Sequence, residues 1–297
     1  MLIREPAVAG RFYPAEAESC RAELARCFGG PGVAGASDLR PSAAEKVIGG
    51  IVPHAGWMFS GPTAAAVIEA VAARRSPATA VIFGAVHVRH GPRASVFNAG
   101  AWETPLGPVP VDERLAERIA SAGTLFEADP YAHEHEHSIE VEVPLLRHLF
   151  PDIRIVPIMV PPTDHAATVG RIVGRICRDA QADAVFLGSS DFTHYGPSYG
   201  FMPHGTGPAA LLWAKEHNDR RLIDLILAMQ EEAVVPEARA HANACGAGAI
   251  AATIAASREC GATCATLLRH TTSAEVMRGR FDDAPHDAVG YAGIVFT

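Results

Sequence analysis

Short apolar runs alternate with longer stretches of helical spacing along most of this chain. Val47–Val52, Ala80–Val86, Ile153–Val160 and Ala184–Gly188 lack strict polar alternation, so each reads as a strand buried on both faces. Between them, Pro62–Ala73, Asp112–Ser121 and Thr163–Asp179 carry helical spacing, with Asp112 as an N-cap and Asp164 near the start of the third. A further helix is expected at Glu16–Phe28, and others over most of Pro208–Met229 and after Cys245. Val289–Phe296 reads as a final strand. Gly29–Ala44 is rich in Gly, Ala, Ser and Pro and is expected to be a surface loop, not a domain boundary. Strands separated by helices predict an α/β fold, with a largely parallel central sheet flanked by helices on both faces, in one domain spanning 1–297.

Composition narrows the class. At 297 residues and 48% hydrophobic, the chain can bury a sizeable core. A net charge of -8, with no basic run denser than pairs such as Arg74-Arg75, argues against a nucleic-acid partner. No apolar stretch approaches the roughly 18 residues of a membrane helix. The start, Met1 to Glu5, has no apolar core of a secretory signal. Six scattered cysteines without a CxxC pair then read as free thiols in a reducing compartment, so a cytoplasmic protein is expected. Histidine, at 14, is the residue whose placement matters most, being both the commonest metal ligand and the usual proton carrier near neutral pH.

In open α/β sheets ligands bind beyond the carboxyl ends of the strands. Pro53-His54-Ala55-Gly56-Trp57 follows the first predicted strand, and the second ends at His87. Ser189-Ser190-Asp191-Phe192-Thr193-His194-Tyr195-Gly196 follows the fourth. One histidine at a strand end is usually incidental, but here three ends deliver His54, His87, Asp191 and His194 to one edge. Trp57, Phe59, Phe192 and Tyr195 are candidate aromatic walls for a pocket there, or ordinary core.

Two more clusters carry chemistry. In Tyr131 to Glu140, His133 and His135 read as part of a solvated, charged helix start. His137 lies where polarity gives way to Ile139, Val141 and Leu145, so it is expected to face the core and to share a helical face with Glu140. Cys245 precedes Gly246-Ala247-Gly248 and an apolar helical run, and a thiol near a helix N-terminus is expected to have a lowered pKa. The other five cysteines read as inert. Phosphate-cradling glycine motifs, HExxH and GxSxG are all missing, which weakens nucleotide and hydrolase readings.

Pro53-His54-Ala55-Gly56, the strand ending in His87, Glu136-His137-Ser138-Ile139-Glu140, the Ser189 to Gly196 stretch and Cys245-Gly246 resemble, in this order, the motifs of the MEMO family. Ala7 to Pro14 and Gly290 to Gly293 resemble that family's two ends, so the likeness covers essentially the whole chain. The family is also known as the B protein of the AmmeMemoRadiSam system, and its fold resembles class III extradiol dioxygenases, which hold non-haem Fe(II). The resemblance implies a metal site on His54, His87 and Cys245, with Asp191, His194 and His137 lining the same pocket. It implies an iron-dependent, dioxygenase-type redox enzyme acting on a small substrate, catechols being one candidate class. In that role His194 or His137 moves protons, and Asp191 orients an imidazole or accepts a substrate hydroxyl. A thiolate ligand would also suit Cu or Zn. The chain departs from the family where Gly84-Ala85-Val86-His87-Val88 replaces the usual Gly-Pro-Ser-His-His, and where Ala247 follows Cys-Gly. Those departures leave open a site shaped for another substrate, or a non-catalytic adaptor that binds metal or peptide in the same pocket.

Overall fold

The computed structural model describes residues 2–29, 46–278 and 286–297, so most of the expected Gly29–Ala44 loop lies outside the described residues. In chain order the strands are β1 Ile3–Arg4, β2 Gly49–Val52, β3 Thr79–Gly84, β4 Ala94–Val96, β5 Ala101–Trp102, β6 Val109–Pro110, β7 Phe126–Ala128, β8 Arg154–Met159, β9 Ala184–Ser189, β10 His194–Tyr195, β11 Ala265–Thr272 and β12 Ala288–Phe296. Nine of them form a mixed sheet in the order β10-β12-β2-β9-β3-β8-β4-β7, with β11 also on β12. β1, β5 and β6 form a small second sheet.

The centre of the large sheet, β2-β9-β3-β8, is parallel. The expectation of a largely parallel sheet needs correcting at the margins, where β12 runs antiparallel to β2, β10 and β11, and β4 antiparallel to β8. Apolar runs reveal burial but not direction, because both faces of these strands are covered whichever way they run.

Adjacent residues of a strand point to opposite faces, and the pair Gly49-Gly50 shows what covers each. A Cβ on Gly49 would come 2.3 Å from Ser257 Oγ, on the helix Ala247–Glu259. A Cβ on Gly50 would come 2.7 Å from Val67 Cγ1, on the helix Trp57–Ala72. Glycine is what lets both helices approach β2 so closely. The latter helix begins five residues before the expected Pro62, which sits within it.

Register then sets the site. Val52 pairs with Ser189, and Phe83 with Gly188, so β2, β9 and β3 end side by side. His54, Asp191 and His87 follow those three ends by two, two and three residues.

Candidate metal centre

His54 is 2% exposed and is fixed at both its main chain and its ring. Its N–H donates to Asp191 Oδ1 at 2.8 Å. Its ring Nδ1 lies 2.8 Å from Ser189 Oγ, which gives its own proton to Ser138 O at 2.7 Å. A hydroxyl has one proton to donate, so Nδ1 of His54 must be the donor and Nε2 carries the lone pair. Burial holds His54 well below the usual imidazole range, helped by the neighbouring His87 and His137, so the ring is neutral and able to ligate.

His87, more open to solvent, is tied to Glu136. Its N–H donates to Glu136 Oε2 at 2.7 Å and its Nδ1 lies 3.0 Å from Oε1. Burial lowers its pKa, but hydrogen bonds with Cys245 and Glu136 outweigh that and push it up to about 10. Glu136 is 1% exposed, and despite burial the His87 imidazole and main-chain N–H groups hold it well below the usual carboxylate range.

His137 is half-buried. Its ring stacks on His87 at 4.7 Å between centroids, 22° apart, and meets Phe12 edge-on at 5.0 Å. Burial and the His87 charge lower its pKa. One ring nitrogen from each of His54, His87 and His137 lies within 4.8 Å of the others, close enough for the triad to hold a metal ion.

Cys245 joins this group with Sγ 3.3 Å from His54 Nε2, and its N–H donates to Asp191 O at 3.2 Å. Gly246 follows because a Cβ there would come 2.5 Å from Ser189 O. The expected lowering of the Cys245 pKa is not found. Burial raises it and Asp191 adds to that, outweighing the opposing hydrogen bond with His87 and any effect of the helix terminus.

Asp191 and His194 border the same cavity, of about 500 Å³, as do the three histidines. Burial raises Asp191 to about 6, against the opposing pull of His194 and of main-chain N–H groups. His194 donates from Nδ1 to Phe192 O at 3.0 Å, leaving Nε2 free. Of the proposed aromatic walls, Phe59 borders the cavity. Trp57, Phe192 and Tyr195 are instead fully buried in the packed interior.

The Tyr131 to Glu140 stretch corrects two expectations. His133 is fully buried, not solvated, and its Nε2 donates to Ser95 O at 3.0 Å; only His135 is exposed. Glu140 does not share a helical face with His137, since His137 lies in no helix and the 3-10 turn Glu140–Glu142 begins only after it. Its carboxylate pairs with buried Arg4 at 2.7 Å and accepts from Ala7 N, Val8 N and Tyr13 Oη. Arg4 in turn donates to His133 O and Glu136 O, so the N-terminal segment clamps the loop that carries Glu136 and His137. Glu136, Ser138 and Ser189 thus have roles that no spacing rule singled out, although all three lie inside the motif stretches.

Residues 4–295 match the family described as Memo-like protein. The chain belongs to the MEMO1 family. It is 37% identical over 303 residues to a MEMO1 family protein of Thermococcus onnurineus, covering 99% of each chain. It is 38% identical over 299 residues to one from Methanothermobacter thermautotrophicus, covering 98% of this chain and 99% of that one. Among the described residues of this MEMO1 family member, no helix is long and apolar enough to cross a membrane.

Proposed function

We propose that this protein binds one metal ion, Fe(II) foremost, through His54 Nε2, His87 Nε2 and Cys245 Sγ, and acts as a dioxygenase-type redox enzyme on a small substrate in the adjoining cavity. The observation that carries this reading is the pair of engaged Nδ1 atoms. With His54 Nδ1 on Ser189 and His87 Nδ1 on Glu136, both imidazoles direct Nε2 to an ion, which at His87 would take the place of the Nε2 proton, and a thiol stands 3.3 Å from the first. The donor set therefore fits a transition metal.

Ring orientation supports Cys245 over His137 as third ligand. An imidazole binds a metal in its own plane. Stacked rings 22° apart do not share such a point, whereas His54 stands at 76° to His87. His137 would have to turn before joining His87 on one ion, which suits it to moving protons instead. His194, with Nε2 free at the cavity wall, is the other candidate proton carrier. Asp191 holds the main chains of both His54 and Cys245, and so fixes the spacing of two ligands. Bound Fe(II) would supply the one-electron chemistry toward oxygen that side chains lack. The thiolate also suits Cu or Zn. Likeness to class III extradiol dioxygenases makes catechols the first substrate class to test, and a cytoplasmic setting goes with the free thiols.

A second reading, a non-catalytic adaptor that binds metal or peptide in this pocket, is favoured by Val88, which stands where the motif that this stretch resembles has a second histidine. The deciding experiment loads wild type, His54→Ala and Cys245→Ala with Fe(II) anaerobically, then measures bound metal and oxygen uptake with a catechol panel. Metal bound by wild type and lost in both variants, with turnover, supports the enzyme. Binding without turnover supports the adaptor, and full metal content in either variant overturns the ligand set.

A further inference from the structure

We infer that Glu136 is a positioning residue: its carboxylate commits His87 to present Nε2 to the site and yokes the loops of His87 and His137 into one unit. The inference rests on the metal reading above and names a residue outside that ligand set.

Four N–H groups converge on this one carboxylate. Oε2 accepts from His87 N at 2.7 Å. Oε1 accepts from His87 Nδ1 at 3.0 Å, His137 N at 2.8 Å and Ser138 N at 2.8 Å. Every partner is a donor, so only an anionic, acceptor-only group satisfies the set. A Gln amide would aim an NH2 group at N–H donors. The side chain is 1% exposed, so water cannot readily take its place.

The convergence has two consequences. His87 holds its outer nitrogen on a carboxylate, which leaves Nε2 as the metal-facing atom and makes it a stronger donor. Oε1 already accepts three hydrogen bonds, and the His137 ring, with Nδ1 at 3.7 Å, donates none to it. Glu136 thus hydrogen-bonds the ring of one imidazole and not that of the next. The main chain of Glu136 is itself held, since Arg4 Nη2 donates to its carbonyl at 2.6 Å.

The test uses Co(II) as an optical probe on the full chain, comparing wild type, Glu136→Gln and Glu136→Asp. Glu136→Gln is expected to weaken Co(II) binding about 10- to 100-fold, to keep the thiolate-to-cobalt band from Cys245, and to be partly rescued in Glu136→Asp. Unchanged affinity and spectrum in Glu136→Gln would overturn the inference while leaving the metal reading intact. No Co(II) binding by wild type would sink the metal reading itself. A measurement that needs no variant covers the case in which Glu136→Gln fails to fold. Long-range nitrogen–proton NMR on Zn(II)-loaded wild type should find the His87 proton on Nδ1. A proton on Nε2 instead refutes the role given to Glu136.

Discussion

His133 is the residue whose burial most directly sets a pH dependence. It is fully enclosed, its Nε2 donates to Ser95 O, and its Nδ1 has no partner. Protonation would put a second N–H and a full charge where neither can be satisfied. Burial therefore lowers its pKa to about 3 in the native state, with Arg4 adding to the effect and the Ser95 bond opposing it. In the unfolded chain it titrates near 6.5. Between those values the unfolded state binds the extra proton, so stability is full above about pH 6.5 and falls as pH drops toward 3. The fall from 6.5 to about 3 corresponds to about 5 kcal/mol in full, of which about 2 kcal/mol is lost between about pH 7.5 and 5. His133→Gln keeps a donor for Ser95 and cannot titrate. Urea unfolding of both proteins at the two pH values isolates the contribution of His133, because all other titrating groups cancel. The wild type should lose about 2 kcal/mol more than the variant over that interval. Equal losses would show that His133 is not buried as a neutral ring.

Glu142 makes the opposite case: it is fully buried with both oxygens unpartnered, and burial together with Asp191 raises its pKa well above the usual value. The native state then holds the proton longer, so stability falls as pH rises above the unfolded carboxyl value, and the melting-temperature gain of Glu142→Gln should grow with pH in that direction; a constant gain rejects this. Glu140→Gln leaves the Arg4 guanidinium buried without its partner and should cost about 3–5 kcal/mol by denaturant titration. A loss below about 1 kcal/mol would mean that the N-terminal clamp is not seated as described. Gly50→Ala places a Cβ 2.6 Å from Ile294 O and should destabilise by about 1–3 kcal/mol through overpacking, whereas an unchanged melting temperature would contradict the close approach of β12 to β2.

The apolar runs around Val47, Ala80, Ile153 and Ala184 were legible as strands because burial on both faces requires continuous hydrophobicity, and all four form the adjacent parallel strands at the centre of the observed sheet. β11 was missed, since its burial is uneven along Ala265–Thr272 and leaves no continuous apolar signal. The short β4, β7 and β10 owe their pairing to neighbours distant in the chain, which local patterning does not record. His133 and His135 show the limit most plainly. Two residues apart in a polar stretch, they look alike in one dimension, yet one is enclosed beside Phe97 and Trp102 and the other is exposed.

What the sequence by itself determined is which chemistry lies at the strand ends, because a strand buried on both faces must be apolar and the polar residues that follow it mark its edge. His54, His87 and Asp191 were readable in that way, and Cys245 from the apolar helix that it precedes. The tertiary structure alone decided which atoms of those residues meet. Ring tautomers, the four-donor cradle of Glu136 and the raised pKa of Cys245 depend on partners dozens of residues away and on how much water is excluded between them. Hydrogen bonding and desolvation act over a few ångströms in space and are blind to separation along the chain.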